Sequence, residues 1–168
     1  NTMAYHVTYG QDAQSFWDTN AECLLEHESA YNLMIGLTLG ILSADRTWGA
    51  LSFFTVFNGT KVVGQAMHTG GDKPLIITEM SQAAVIALVY AAGEHGFSPV
   101  AVSGPAKTAK LCAEAFAKPS GARVQLTQCQ GVYELKEVMW PEGDGGKLIC
   151  GRPEQRELAL EYTEAFIR

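Results

Sequence analysis

Apolar and polar positions are most legibly spaced between Leu75 and Phe116. There the pattern predicts strand (Leu75 to Thr78), helix (Ser81 to His95), strand (Val100 to Ser103) and helix (Pro105 to Lys118). Val85, Leu88, Val89 and Ala92 fall on one face of the first helix. Ser81 stands where its hydroxyl can accept from the free amides of the next turn, and Met80 is placed to staple onto Val85. Gly96 stops the helix and Pro99 bars its continuation. Gln82 to Gly93 carries no charge, so this helix is expected to be buried on most of its circumference. A buried helix joining two short apolar strands predicts a right-handed crossover between parallel strands, with the helix N-terminus open to a ligand at the strand ends. On the second helix, Lys107, Lys110, Glu114 and Lys118 line a solvent face, while Ala109, Cys112, Ala113 and Phe116 face inward.

Upstream, Asp12 reads as the N-cap of a helix with Trp17, Ala21, Leu24 and Glu28 along one stripe, ending near Glu26 to Ser29. A second helix follows, with Leu33, Gly36, Leu37, Gly40 and Ile41 at helical spacing. Glycine inside a helix costs about 1 kcal/mol relative to alanine, so Gly36 and Gly40 imply either close backbone packing or the approach of a ligand. Leu51 to Phe57 and Lys61 to His68 flank Asn58-Gly59, a pair suited to a type I′ hairpin turn. After Gly70-Gly71-Asp72 the chain returns as Pro74 to Thr78, completing an antiparallel meander.

Beyond the central unit, Ala122 to Gln128 and Val132 to Val138 read as two more strands. Pro141 to Gly146, dense in glycine and acid, reads as a linker between a domain over 1–140 and a strand (Lys147 to Cys150) and helix over 147–168. Leu158, Tyr162, Ala165 and Phe166 share one face of that helix, a stripe that one strand and one helix cannot bury alone. Either it folds back on the first domain, or it opens a second domain whose remainder lies past Arg168; an ending directly on an amphipathic helix favours the latter. The fold class is α/β of the α+β kind, a mixed, mainly antiparallel sheet flanked by helices.

A net charge of −6, with the 12 Lys and Arg scattered, argues against a nucleic-acid surface. Cys23, Cys112, Cys129 and Cys150 show no CxxC pair, which favours free thiols in a reducing, cytoplasmic setting over a disulfide framework. Asn1 to Gly10 has no basic region leading into an apolar run, so no signal peptide is read there. Ala30 to Leu42 is shorter than the roughly 20 residues a membrane span needs.

Few motifs carry chemistry. Ser103 to Thr108 ends a strand and opens a helix, but Ala106 precedes Lys107 where a phosphate loop has glycine, leaving at most a weak anion site. His6, His27, His68 and His95 share no metal-ligand spacing with one another or with the cysteines, so no metal is expected. Glu26 and Glu28 flank His27. Glu79, at a strand end before the core helix, is the candidate acid or base, set against the plainer reading of an exposed loop carboxylate.

Two helices, a meander, strand, core helix, strand and second helix, then two closing strands, resembles the order of elements in the GNAT family of acyltransferases. Ala30 to Gly36, Val102-Ser103-Gly104-Pro105 with its lysine-bearing helix, and Gly131 to Leu135 resemble the first unit of bacterial tandem-GNAT proteins. Leu148 to Phe166 resembles the opening strand and helix of their second unit. The resemblance implies an acetyl-CoA-dependent N-acetyltransferase in which a deprotonated amine attacks the thioester directly. It also implies a splayed strand pair that admits the thioester, and amides at the start of the core helix that hold the pyrophosphate in a loop of form (Gln/Arg)-x-x-Gly-x-(Gly/Ala). The equivalent stretch is Thr78 to Ala84, which makes Thr78, Met80, Ser81, Gln82 and Ala83 the cofactor-loop residues. Neither central glycine is present, and Glu79 puts negative charge where phosphates would sit, so the site reads as vestigial and no tightly bound cofactor is expected. The first unit then serves as scaffold and as one wall of a pocket for a small-molecule or peptide amine, with Trp17, Tyr31, Gly36 and Gly40 contributing. The alternative is a non-catalytic module that binds a partner, a missing second domain or a second copy of itself, through the Phe166 stripe or a strand edge.

Overall fold

The computed structural model describes residues 5–44, 48–139, 142–143 and 149–167. The chain divides into two compact units, Asn1–Glu134 and Leu135–Arg168, a division slightly upstream of the expected linker. Most of Pro141 to Gly146, with Lys147 and Leu148, lies outside the described residues.

The first unit holds a five-stranded sheet in the order β1 (Tyr5–Gly10), β2 (Ser52–Asn58), β3 (Lys61–His68), β4 (Leu75–Ile77), β5 (Val102–Ser103). Neighbouring strands are antiparallel except β4 and β5, which run parallel with Leu75 opposite Val102 and Ile76 opposite Ser103. This is the expected mixed, mainly antiparallel sheet with flanking helices. The strand β1 was not foreseen, although Tyr5, Val7 and Tyr9 alternate with polar neighbours as a half-buried strand requires.

Alternation along the strands sorts the core into two layers. Phe53, Met67 and Ile76 face α1 (Ala13–Leu25) and α2 (Glu28–Leu42), whose Phe16, Leu24, Met34 and Ile35 cover them. Phe54, Val56, Ala66, Leu75 and Ile77 face α3 (Gln82–Glu94), which buries Ala84, Val85, Leu88 and Ala92 against them. Cys112 of α4 (Ala106–Ala117) closes that layer. Residues Ser52 to Val56 are buried on both faces, as a central strand requires.

Several expectations need correction. The buried face of α1 is Ala13, Phe16, Asn20 and Leu24, so of the expected stripe only Leu24 is fully buried, with Trp17 half-buried against the same cluster. Asn20 can be buried because its amide donates to Phe16 O and Thr55 Oγ1, both at 2.8 Å. Likewise α2 buries Met34, Ile35 and Thr38 while Leu33 is exposed, and the Thr38 hydroxyl is satisfied by Met34 O at 2.8 Å. Among the described residues no backbone approaches Gly36 or Gly40: a Cβ at Gly36 meets nothing within 4 Å, and one at Gly40 meets only the Trp48 ring at 3.8 Å. The hairpin loop is Gly59-Thr60 rather than Asn58-Gly59, with Asn58 paired to Lys61 and positive φ only at Gly59 (63°), the pattern of a II′ turn. The core helix α3 is buried on one face only; Ile86 is 57% and Tyr90 70% exposed, because no element among the described residues packs over its outer side. Neither Ala122 to Gln128 nor Val132 to Val138 forms a strand; both stretches are exposed, and strand propensity alone does not make a strand.

The second unit contains a 3-10 turn, Pro153–Gln155, running into α5 (Arg156–Ile167). Arg152 N donates to Gln155 Oε1 at 3.0 Å, closing the turn. Leu158, Tyr162 and Phe166 of α5 are exposed. No helix among the described residues is long and apolar enough to cross a membrane.

Candidate functional site

The junction of β4 with α3 is held by hydrogen bonds to β3 and by the cap of α3. Thr78 leaves β4 buried and tied to Gln65 of β3: Thr78 N donates to Gln65 O (3.0 Å), Gln65 N donates to Thr78 Oγ1 (2.9 Å), and the Thr78 hydroxyl donates to Gln65 Oε1 (2.7 Å), with Gln65 O a longer second acceptor (3.4 Å). Ser81 caps α3 as the sequence predicts, accepting from Ala84 N at 3.2 Å, and Met80 and Val85 are both buried beside the cap. Gly96, at φ 67°, terminates the helix.

Two glycines let other elements close on this junction. A β-bulge pairs Val56 with Gly64 and Phe57 with Val62, leaving Val63 without a cross-strand partner. Met80 lies over Gly64, where its side chain fills the place of a Cβ. Gly104, between β5 and α4, would put a Cβ 2.5 Å from Ile77 O. The chain after β5 therefore stays against the end of β4, with no gap between them at that level.

Around this junction lies a cleft of about 520 Å³, lined by Val63, Glu79, Met80, Ser81, Gln82, Lys107, Thr108 and Leu111. Four loop residues named from the sequence, Glu79, Met80, Ser81 and Gln82, meet there. Thr78 and Ala83 do not line it: Thr78 is turned to Gln65, and Ala83 is exposed on α3. Val63 and Leu111 were missed as site residues, and Lys107 and Thr108 belong to the Ser103 to Thr108 stretch that the sequence offered only as a weak anion site. Val63 is displaced by a bulge whose one sequence signal is the adjacent Gly64 inside the strand, and the others stand on the first turns of α4, whose position opposite α3 is set by tertiary packing.

The loop amides are partly occupied by the protein itself. Glu79 N donates to the Tyr31 hydroxyl at 3.3 Å, and Met80 N donates to Thr108 Oγ1 at 3.4 Å. Tyr31 reaches Glu79 from a kink in α2, where its own backbone (φ −110°, ψ 16°) leaves helical geometry. Thus Tyr31 joins the site through its hydroxyl, whereas Trp17, Gly36 and Gly40 do not line the cleft. Charge in the cleft is one carboxylate, Glu79, and one ammonium, Lys107, both exposed. That balance gives no net pull on a doubly charged phosphate group.

A second cleft, about 410 Å³, follows the corner between α1 and α2 and is lined by Leu25 to Ala30 and Glu134. It contains Glu26, His27 and Glu28, yet no group of three His, Cys, Asp or Glu among the described residues could hold a metal ion. The Cys112 thiol is buried under α4, and burial pushes it up to about 12, which keeps it protonated and unreactive. Comparison with family models, curated proteins and solved structures gives no match for this chain.

Proposed function

We propose that the first unit is a GNAT-type acyltransferase unit that has lost its cofactor site and acts as a scaffold within an N-acetyltransferase. The observation that carries this reading is the β4–α3–β5 arrangement: an antiparallel meander ends in a parallel pair, and the crossover helix directs its capped N-terminus at a cleft. Loss of the cofactor site is supported by the same residues. The Glu79 and Met80 amides already serve Tyr31 and Thr108, and Glu79 brings a carboxylate where a pyrophosphate would lie. Gly104 holds the chain against Ile77 O, which leaves no splay for a thioester at that level. The residues present do not fit acetyl-CoA, so the amine acceptor and its acetylation belong to a second unit, with this one as a wall of the acceptor pocket.

Incubation of the 168-residue chain with acetyl-CoA and a panel of primary amines tests the reading. No CoA thiol above the buffer rate is expected. Sustained thiol release by this chain would contradict it.

A second reading, a docking module, is favoured by the exposed apolar residues Ile86 and Tyr90 on α3. A molar mass that rises with concentration and falls back in an Ile86→Glu, Tyr90→Ser variant would select it.

A further inference from the structure

The sheet has a long strand at one edge. β1 pairs with β2 on one side, and no strand among the described residues of the first unit pairs with its other side. An open edge is a template for a further strand, and edges that stay unpaired are short, charged, kinked by a bulge or interrupted by proline. The opposite edge, β5, is two residues long and runs into Gly104 and Pro105. β1 has none of these devices. It is six residues long, carries no Lys, Arg, Asp, Glu or Pro, and pairs with β2 without a register shift.

The side chains along β1 are self-complementary. Tyr5, Val7 and Tyr9 lie on the face under α3, while His6 and Thr8 are exposed on the other. If β1 of a second copy lies antiparallel with Val7 opposite Val7, Tyr5 of each copy stands opposite Tyr9 of the other. On the exposed face His6 stands opposite Thr8. No charge meets its like, as a two-fold contact between identical surfaces requires.

α3 lies along the same edge. At its start Ser81 Oγ is 3.3 Å from the Tyr5 hydroxyl, and just past its end the His95 ring stacks on Tyr9 with centroids 4.2 Å apart. Its buried face also covers Phe54 and Val56, so α3 sits above β1 and β2 together. With neighbouring strands about 4.8 Å apart, joining two copies through β1 sets the two α3 axes about 10 Å apart, the spacing at which helices pack. From Gln82 to Gly93 α3 has no charge to oppose that approach, and Ile86 and Tyr90 are exposed on it.

We propose that the chain forms a two-fold dimer in which β1 of each copy pairs antiparallel with β1 of the other, centred on Val7, joining the two sheets into one with α3 beside α3. The proposal rests on the docking reading and gives it a partner, a strand and a register. It is independent of acyl transfer.

Sedimentation equilibrium of the 168-residue chain at tens of micromolar tests it, with two variants at the exposed positions. In this register His6→Lys, Thr8→Lys sets like charges opposite one another on both sides of Val7, whereas His6→Lys, Thr8→Glu sets opposite charges there. The unsubstituted protein and the second variant are expected to show twice the 18.2 kDa of one chain, and the double-lysine variant a single chain. A single-chain mass for the unsubstituted protein, a dimer that survives both lysines, or loss of the dimer in both variants alike would overturn the proposal. A dimer kept by the double-lysine variant but lost on Ile86→Glu, Tyr90→Ser would leave the docking reading standing and remove β1 from it. Should the double-lysine variant fail to fold, amide exchange in the unsubstituted chain decides. Protection over Tyr5–Gly10 is expected to rise with protein concentration, and protection independent of concentration would overturn the proposal.

Discussion

Met80 packs across Gly64 so closely that its side chain occupies the volume a Cβ on Gly64 would need. The contact joins the bulged part of β3 to the loop entering α3. It explains why a glycine, ordinarily a weak strand residue, stands in the middle of β3.

Substitution of Gly64 by alanine is expected to destabilise the first unit by about 1–3 kcal/mol, the range for overpacking a filled core. Gly36→Ala is the control. It sits in a helix with nothing within 4 Å of the added methyl, and replacing an interior helical glycine stabilises by up to about 1 kcal/mol. Urea melts of the two variants should therefore shift in opposite directions.

The Ser81 cap is separable from the cleft. Ser81→Ala removes the acceptor for Ala84 N and is expected to cost about 1 kcal/mol, whereas Ser81→Asp, also a good cap, should retain most of the stability. Equal losses in the two variants, read from thermal melts, would show that the hydroxyl matters for a reason other than capping.

How far these features could be read beforehand depends on whether they are local. The Ser81 cap, the Gly96 stop and the 3.9 Å Lys110–Glu114 pair involve residues within a turn or two of each other, and all three appear as the sequence predicts. Helix rotation was harder to read, because Asn20 and Thr38 look like surface residues until Thr55 and Met34 O supply their partners. The cleft was half legible. Its loop side follows from a strand end meeting a capped helix, while Val63, Lys107 and Thr108 arrive through a bulge and a packing angle. For Ala122 to Val138, composition alone suggested strands, but a strand exists only through its neighbour.

Asp12 gives a pH prediction. Its carboxylate is held below its ordinary value by hydrogen bonds from Ser15, whose N lies 2.7 Å from Oδ2. A lowered folded value means the cap contributes fully above the ordinary carboxylate range and is lost as pH falls through the folded value. Asp12→Asn should therefore change the acid limb of the stability profile and leave its shape near neutrality untouched.

Thiol chemistry should divide by burial. Cys129 and Cys150 are exposed and are expected to react with a thiol reagent at pH 8 within the mixing period of a slow assay, while Cys112 reacts only as fast as the unit unfolds. Its folded value of about 12 lies above the ordinary 9.0, so its contribution to stability is full below 9.0 and declines as pH rises toward 12. Rapid labelling of Cys112 in native buffer, mapped by peptide mass, would mean that α4 opens readily.

Calorimetric titration of acetyl-CoA into the 168-residue chain tests the central claim most directly. With the Glu79 and Met80 amides engaged by Tyr31 and Thr108, and a carboxylate beside them, no binding heat is expected up to millimolar cofactor. Micromolar binding at 1:1 stoichiometry would contradict the account and make the cleft at Ser81 a working cofactor site.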